Sequence, residues 1–303
     1  MTVIVVGAGL SGIACATELA AAGIPVRVLE RSDVIGGRMA SPLLHGRPVD
    51  VGAAYFTVRD PGFAQVVARW QAARLVHEWT DELAVFDAGR RSTAPGPMRW
   101  AAPGGLGSLV AELATGLDVE LGRAVRHVGP GPMVDGERAD TVVLAMPDPQ
   151  ALTLLDPVAP AATDLAERAW RPALVVAAGF AERAWEPLPA AFVNGHPVLA
   201  HVADDGNRRG DGAPVLVAHT TAEQVGVGVP AVLAAVRALL GIPAEPQWSH
   251  ALLWPQASPA GDRDRPFHIG ADGIALAGDG WGSSRIETAW RSGALLGRAL
   301  SSA

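Results

Sequence analysis

The stretch Val3-Ile4-Val5-Val6-Gly7-Ala8-Gly9-Leu10-Ser11-Gly12 decides the fold. Its first four residues are apolar and β-branched, which is typical of a strand buried on both faces of a parallel sheet. The glycines that follow have the spacing G-x-G-x-x-G of a strand-to-helix turn. In this pattern Gly7 permits the tight turn, Gly9 lets a pyrophosphate approach the backbone, and Gly12 lets the helix pack on the strand. The stretch therefore predicts a Rossmann-like dinucleotide-binding unit with phosphates at the helix N-terminus.

A carboxylate follows the second strand of this unit. The segment Val26-Arg27-Val28-Leu29 is predicted as a strand and ends at Glu30. A carboxylate at this place can accept hydrogen bonds from both ribose hydroxyls, and it would repel a 2′-phosphate. Because strand, glycines, helix and acid stand in register, we interpret Glu30 as a ribose ligand and not as part of a tight packing turn.

Two further motifs indicate which dinucleotide is bound. Asp33-Val34-Ile35-Gly36-Gly37-Arg38-Met39 contains a glycine doublet and an arginine, and Asp50-Val51-Gly52-Ala53 follows it. Near the other end, Ile274-Ala275-Leu276-Ala277-Gly278-Asp279 is apolar and ends in Gly-Asp. With these motifs the chain resembles the glycine-doublet FAD-binding oxidoreductases of the glutathione-reductase-like superfamily, which include amine oxidases, protoporphyrinogen oxidase and renalase. The resemblance implies FAD as cofactor, with Asp279 at its ribityl chain.

The candidate FAD-binding residues come from these motifs, from one further apolar position and from the start of the last predicted helix. They are Gly7, Gly9, Ser11, Gly12, Glu30, Arg31, Gly36, Gly37, Arg38, Gly52, Ala53, Val125, Gly278, Asp279, Glu287 and Ala289. The N-terminus of the last helix would stabilise negative charge on the flavin through its free N–H groups and its dipole. Cys15 is the only cysteine and lies inside the first predicted helix, so we expect FAD to be bound non-covalently.

A narrower resemblance covers nearly the whole chain. Residues 51–60, 70–72, 76–80 and 278–293 together resemble the bacterial renalases. These are FAD oxidases that take misreduced isomers of NAD(P)H, in which hydride sits on the wrong carbon of the nicotinamide ring, and return them to NAD(P)+. The resemblance implies hydride transfer from the 2- or 6-dihydro isomers to flavin N5, with O2 as electron acceptor and hydrogen peroxide as product.

Two positions depart from the renalase pattern. Gly280 stands where the bacterial family has a Trp directly after the Asp of the Gly-Asp motif, and Trp281 comes next. A His-Arg-Trp run of the family is reduced here to His250-Ala251-Leu252. Both positions lie near the flavin in the family, so the resemblance implies the fold but does not identify the substrate.

Candidates for the substrate pocket are aromatic, cationic or titratable. They are Trp281, Trp254, Arg59, Arg285 and His219. Aromatic rings would stack a planar substrate on the flavin, and arginines would bind its phosphate or carboxylate. The alternatives are core packing for the tryptophans, a structural ion pair with Asp60 or Glu287 for the arginines, and a satisfied buried histidine. No cluster of His, Cys, Asp or Glu has metal-ligand spacing, so no metal is expected.

Composition excludes several classes of function. The chain has 303 residues, 49% of them hydrophobic, which is enough for two domains with a large core. Its formal net charge of −7 gives no electrostatic reason to bind nucleic acid. The apolar N-terminus lacks the basic flank of a secretory signal, and no other run is long enough to span a bilayer. We expect a cytoplasmic protein that acts on a small-molecule substrate; the sequence leaves its oligomeric state open.

The order of predicted elements gives an α/β fold with two domains. The first is a Rossmann-like FAD-binding domain with a central parallel sheet, formed by residues 1–57, 98–149 and 266–303. The second is a smaller α+β substrate domain with an antiparallel sheet, formed by residues 58–97 and 150–265. Within them we predict helices over residues 62–73, 229–240 and 287–300, and a loop over the proline- and glycine-rich residues 94–107.

Two other classes of function remain open. One is a flavoenzyme of different chemistry, namely an amine or secondary-metabolite oxidase or dehydrogenase, or an aromatic monooxygenase. Many amine oxidases of this branch carry a lysine that holds a water against flavin N5, and this chain contains no Lys, which weakens the amine alternative. Monooxygenases generally lack the doublet Gly36-Gly37-Arg38. The other class is a flavin or NAD sensor, for which 303 residues leave no output domain.

Overall fold

The computed structural model describes residues 1–129, 131–165 and 168–302. The strands are β1 (Val3–Val6), β2 (Val26–Leu29), β3 (Leu43–Leu44), β4 (Arg47–Pro48), β5 (His77–Asp87), β6 (Arg90–Ala101), β7 (Asp118–Glu120), β8 (Val128–Gly129), β9 (Met133–Val134), β10 (Glu137–Arg138), β11 (Thr141–Leu144), β12 (Trp170–Gly179), β13 (Ala190–Asn194), β14 (Leu199–Asp204), β15 (Val215–Thr220), β16 (Trp248–Pro259), β17 (His268–Ile269) and β18 (Ile274–Leu276). The helices are α1 (Leu10–Ala21), α2 (Pro61–Ala72), α3 (Leu106–Leu113), α4 (Asp148–Leu152), α5 (Pro160–Leu165), α6 (Asp205–Arg209), α7 (Val229–Leu240) and α8 (Ile286–Ser301).

The first large sheet is mostly parallel and contains the N-terminal strand at its centre. Its strand order is β17-β18-β11-β1-β2-β7. Strand β1 pairs in parallel with β2 and β11, β11 pairs in parallel with β18, and only β17 runs antiparallel to its neighbour within the described residues. All four residues of β1 are buried, because helices and loops cover both faces of the sheet. The predicted Rossmann-like unit is therefore confirmed.

The second large sheet is mostly antiparallel. Its strand order is β16-β12-β15-β14-β13-β5-β6, and β13 and β5 form its parallel pair. Helix α7 packs on it through Val232 and Val236, which share a core with residues of β12, β14 and β15. The prediction of an α/β protein with a parallel sheet and a separate antiparallel sheet is confirmed, as is the helix over residues 229–240.

The predicted loop over residues 94–107 is wrong in its first half. Strand β6 continues to Ala101 and pairs antiparallel with β5 along most of its length. It is an edge strand, where prolines are tolerated, and its register on β5 shifts between Arg99 and Pro95. Long-range pairing with β5 thus overrides a local composition that is typical of loops.

A buried group of four charges joins the segment after β4 to helix α6, which follows β14 of the second large sheet. Asp50, Asp205, Arg208 and Arg209 are each at most 4% exposed. Arg209 pairs with Asp50 at 3.3 Å and with Asp205 at 3.1 Å, and Arg208 also pairs with both carboxylates. Burial raises the pKa of Asp205, but Arg208, Arg209 and Arg47 outweigh it and hold that pKa below its usual value. The four charges therefore neutralise one another in a region that water does not reach.

The domain boundaries stay a prediction, and side-chain packing crosses them. Helix α2, assigned to the substrate domain, buries Phe63 and Trp70 in the same core as α1, α3 and α8. Helix α4, which straddles the predicted boundary after residue 149, and helix α5, assigned to the substrate domain, share a core with strands β1, β2, β11 and β18. The two sheets follow the predicted division more closely than the helices do.

Close packing of α8 on α1 gives the first testable prediction. A Cβ at Gly293 would overlap the backbone oxygen of Ser11. We expect Gly293→Ala to lower the free energy of unfolding by about 1–3 kcal/mol, since the two helices would have to separate. Urea unfolding measures this. Gly226→Ala is the control, because Gly226 is exposed and a Cβ there meets open space; equal stability of the two variants would contradict the packing.

Candidate functional site

A cavity of about 1260 Å³ lies between the two large sheets. It is larger than the roughly 300–1,000 Å³ of most small-molecule sites, so it has room for a dinucleotide together with a substrate. The predicted FAD-binding residues that line it are Gly7, Gly9, Ser11, Glu30, Arg31, Gly36, Gly37, Arg38, Gly52, Ala53, Val125, Gly278, Asp279 and Ala289. The predicted substrate residues that line it are Arg59, His219, Trp254 and Arg285.

The glycine turn at the start of α1 fits a pyrophosphate. Gly7 has φ 106°, and a Cβ there would lie 2.8 Å from the backbone oxygen of Ala145, so a side chain is excluded on both counts. A Cβ at Gly12 would overlap the backbone oxygen of Gly7, whereas one at Gly9 would meet open space. Helix α1 has no side-chain cap, and the buried Ser11 hydroxyl has no hydrogen-bond partner among the described residues. These free donors are what a phosphate group requires.

Glu30 lies at the end of β2 and is 8% exposed. One of its oxygens accepts a hydrogen bond from the Ala8 N–H at 2.7 Å, and the other accepts one from the Ser32 N–H at 2.9 Å. Each oxygen keeps further acceptor capacity for a hydroxyl. The carboxylate therefore both fixes the glycine turn and remains able to bind a ribose.

The motifs from the two ends of the chain meet at this cavity. The Gly36 N–H donates to the Ala8 oxygen at 3.0 Å, which places the glycine doublet against the phosphate turn. Arg38 then forms a two-pronged ion pair with Asp279 and donates to the Ala257 oxygen at 2.9 Å. Asp279, which is 5% exposed, is thereby held at the cavity with its charge matched.

The Val51–Gly52 backbone is bound by two side chains of the second large sheet. The indole N–H of Trp254 on β16 donates to the Val51 oxygen at 2.7 Å. His219 on β15 places Nε2 2.8 Å from the Gly52 oxygen, and since a carbonyl can only accept, Nε2 carries the proton. Both side chains are thereby fixed in orientation at the wall of the cavity.

Three predicted residues, Gly12, Trp281 and Glu287, do not line the cavity. Gly12 lies behind the turn that it helps to form. Trp281 is 3% exposed and packs in a core with strands of the first sheet, between the His268 ring and the Arg263 guanidinium at 4.3 Å from its centroid. The structure thus places Trp281 in a hydrophobic core, which is the alternative to a position in the wall of the substrate pocket.

Glu287 also lies outside the cavity lining and binds backbone instead. One of its carboxylate oxygens accepts hydrogen bonds from the N–H groups of Arg59 and Asp60, both at 2.6 Å. The side chains of Arg59 and Arg285 are exposed at the cavity and form no ion pair in the described parts of the chain. Asp60 pairs with Arg291 at 3.6 Å and not with Arg59.

The structure adds cavity residues that sequence reasoning missed. Arg99 at the end of β6 is 7% exposed, and its guanidinium lies 5.4 Å from the centroid of the Tyr55 ring. Phe192 on β13 also lines the cavity, and its ring lies 5.6 Å from that of His201. The sequence does not indicate a role for Arg99, because it lies in residues 94–107, which are predicted as a loop.

Two neutral histidines face each other at this end of the cavity. The rings of His201 and His219 lie 5.6 Å apart in an edge-to-face arrangement. Burial lowers the pKa of His201 to about 3, and the neighbouring His219, Arg208 and Arg99 add to the effect. Burial also lowers the pKa of His219. Both rings therefore remain uncharged at neutral pH.

The sole cysteine is far from reactive. Cys15 is fully buried in α1, and burial raises the pKa of its thiol to about 12, with Glu18 contributing.

Among the described residues, no helix has the length and apolarity needed to cross a membrane, and no group of three or more His, Cys, Asp or Glu is arranged to hold a metal.

Comparison with known families gives two matches. The model of the flavin containing amine oxidoreductases matches residues 58–296, and that of the NAD(P)-binding Rossmann-like domain matches residues 5–70. The first match covers most of the chain. Together the two matches support FAD as the cofactor.

Curated relatives match over short segments. A segment of 54 residues is 48% identical to probable polyamine oxidase 4 of Arabidopsis thaliana, and one of 57 residues is 42% identical to hydroxyneurosporene desaturase of Rubrivivax gelatinosus. These segments make up 18% and 19% of this chain. The chain thus spans only 11% of the length of each of these relatives in the matched region.

Solved structures match over the full length. The putative protoporphyrinogen oxidase of Exiguobacterium sp. 255-15 superposes with a TM-score of 0.81 at 14% identity, and cyclohexylamine oxidase of Brevibacterium oxydans IH-35A with 0.79 at 15% identity. Each comparison covers 99% of this chain and 98% of the other. At such identities the likeness establishes the fold alone.

The position of Glu30 leads to a prediction about cofactor affinity. We expect Glu30→Ala to weaken FAD binding by about 1–3 kcal/mol, the usual loss for a charged hydrogen-bond partner. Titration of apoprotein with FAD, followed by flavin fluorescence, measures this. Glu120→Ala on the adjacent strand β7 is the control, because Glu120 is exposed and lies outside the cavity lining. Unchanged FAD affinity in Glu30→Ala would show that the acid is not at the ribose.

The two neutral histidines lead to a prediction about acid stability. Between pH 6.5 and about 3 the unfolded chain binds a proton at position 201 that the folded chain does not. The free energy of unfolding should therefore fall as pH drops below about 6.5, by up to about 1.4 kcal/mol per pH unit for each such histidine. His201→Phe keeps a ring against Phe192 and should flatten the slope measured by urea unfolding at pH 7 and pH 5. The exposed His250→Gln is the control; equal slopes in wild type and His201→Phe would refute the linkage.

Proposed function

The chain belongs to the flavin containing amine oxidoreductase family, and from that premise we propose that it is an FAD-dependent oxidase of misreduced NAD(P)H, converting the 2- and 6-dihydro isomers to NAD(P)+. FAD, when bound, supplies the hydride acceptor, and O2 is the proposed final electron acceptor, with hydrogen peroxide as product. The proposal combines the resemblance to bacterial renalases with one observation on the cavity, which is its charge.

The cavity is strongly cationic although the whole chain is acidic. Its lining contains six arginines and two carboxylates. The arginines are Arg31, Arg38, Arg59, Arg99, Arg123 and Arg285, and the carboxylates are Glu30 and Asp279. Arg123 also pairs with Asp135 outside the lining at 3.3 Å, which leaves an excess of about three positive charges. That excess is more than the pyrophosphate of one FAD neutralises, so a second anionic group suits the cavity. A reduced pyridine dinucleotide, with its own phosphates, is such a substrate.

The side chains at the substrate end can orient a planar ring without acting as a base. Trp254 and His219 are fixed by their hydrogen bonds to the Val51–Gly52 backbone, and Tyr55 and Phe192 add aromatic surface. Loss of hydride from a dihydropyridine leaves an aromatic pyridinium and releases no proton. The reaction therefore requires these residues only to position the ring and to exclude water, which apolar and neutral side chains can do.

The exposed arginines have a role in this proposal. Arg59 and Arg285 line the cavity and form no ion pair within the described ranges, and we assign them to the phosphates of the substrate. An arginine presents a planar set of donors that matches a phosphate group.

The second candidate function is oxidation of an amine. It is favoured by the family match and by the similarity of a 54-residue segment to probable polyamine oxidase 4. A protonated amine, however, would enter a cavity with an excess of arginines, and the chain has no Lys to hold a water at the flavin. A dihydropyridine avoids both difficulties.

Anaerobic stopped-flow measurements test the proposal. We expect 2- or 6-dihydro isomers of NAD(P)H to bleach the flavin absorbance quickly and ordinary 4-dihydro NADH to do so slowly or not at all. A pocket that presents C2 or C6 to the flavin holds C4 out of line, and a misplacement of about 1 Å can lower a rate on the order of a hundredfold. Putrescine and cyclohexylamine are the comparison substrates. Bleaching by an amine, with the isomers inert, would assign the second function instead.

A further inference from the structure

Arg99 is a buried cation without a charge partner. It is 7% exposed and lines the cavity from the end of β6. Its Nη1 donates to the Pro97 oxygen at 3.3 Å, and its Nε is buried with no hydrogen-bond partner. In the described parts of the chain, no carboxylate lies within 4.0 Å of its nitrogens. The buried Arg208 and Arg209, by contrast, each pair with both Asp50 and Asp205.

The surroundings of Arg99 fix the guanidinium but do not neutralise it. Its central carbon lies 5.4 Å from the centroid of the Tyr55 ring, a cation–π distance. A Cβ at Gly96 would lie 2.9 Å from Nη2, so the absence of a side chain there lets the guanidinium approach the backbone. His201 is close enough for Arg99 to lower its pKa, and its ring is neutral. A buried charge held in one place without a counter-charge is unfavourable for folding, and a bound anion removes that penalty.

We propose that Arg99 determines substrate specificity by binding an oxyanion of the substrate, a phosphate or a carboxylate, at the end of the cavity formed by the second sheet. The proposal rests on the proposed function in that it concerns the same cavity. It adds a named contact and a substrate class, because an anionic ligand is selected there over a neutral or cationic one.

The cofactor has its own set of phosphate donors elsewhere in the cavity. These are the backbone of the Gly7–Gly9 turn, the N-terminus of α1 and the unpartnered Ser11 hydroxyl. Arg99 lies in the other large sheet, beside Tyr55 and within interaction distance of His201. Removing Arg99 should therefore change the binding of a substrate and leave FAD bound.

Equilibrium binding of pyridines that the protein cannot oxidise tests this. FAD-loaded protein is titrated with two pairs of ligands, and the change in the visible flavin spectrum gives each Kd. Nicotinamide mononucleotide and nicotinamide riboside differ by one phosphate, whereas nicotinate and nicotinamide differ by a carboxylate in place of an amide. The proteins compared are wild type, Arg99→Met, Arg99→Lys and Arg91→Met. Arg91 is the control, because it lies on the same strand but pairs with Glu186 away from the cavity.

We expect wild type and Arg91→Met to bind the member that carries the phosphate or the carboxylate about tenfold or more tighter than its partner, in at least one of the two pairs. Arg99→Met should reduce this preference about tenfold while keeping its FAD, because Arg59 and Arg285 remain in the cavity. Arg99→Lys should reduce it less, since it retains the charge but loses the planar set of donors. Preference in the first pair identifies a phosphate as the ligand group, and preference in the second identifies a carboxylate.

Three results would overturn the assignment. They are equal affinities within both pairs in wild type, an unchanged preference in Arg99→Met, and a loss of FAD from Arg99→Met, which would give the residue to the cofactor. None of the ligands is turned over. The outcome therefore stands even when dihydronicotinamide isomers fail to reduce the flavin, and failure of the proposed function remains distinguishable from failure of this inference.

Discussion

The mutual neutralisation of Asp50, Asp205, Arg208 and Arg209 is the interaction that holds the cavity-lining segment after Asp50 against helix α6, which follows β14 of the second large sheet. Four charges taken out of water are tolerated only when each finds its partners, so the helix α6 that carries three of them has one acceptable position against Asp50. Arg208 also donates to the Ala54 oxygen at 2.7 Å. The segment that contributes Gly52 and Ala53 to the cavity is thereby fixed against the second sheet, and the cavity takes its shape from this contact.

The cofactor side and the substrate side share one piece of backbone. The Val51 and Gly52 oxygens hold Trp254 and His219, and the Ala53 N–H donates to the Arg38 oxygen at 3.0 Å. Arg38 in turn pairs with Asp279 from the far end of the chain. Groups on both sides of the cavity therefore take their positions from the same short segment.

Sequence reasoning succeeded where the physical cause is local. The glycine spacing of Gly7–Gly12 and the acid after β2 follow from short-range steric and hydrogen-bonding rules, and the helix over residues 229–240 follows from its apolar period. It failed where distant residues decide the outcome. Pairing with β5 makes a strand of Arg90–Ala101. For Trp281 the sequence leaves core packing and a place in the cavity wall both open, and packing with the first sheet, which local patterns do not show, favours the core. Local sequence patterns show neither that Arg99 has no carboxylate partner among the described residues nor that Asp50 is surrounded by buried charges, because both depend on residues distant in the chain.

The composition of the sheet edges bears on the behaviour of the protein in concentrated solution. Within the described residues, the outer strands of the second sheet are β6, which contains Pro95 and Pro97, and β16, which contains Pro255 and Pro259. A proline has no N–H to offer to an incoming strand, so neither edge presents an unbroken row of donors. Growth of the sheet by addition of a second molecule is therefore interrupted at both sides, which protects the long strands of this fold from edge-to-edge aggregation.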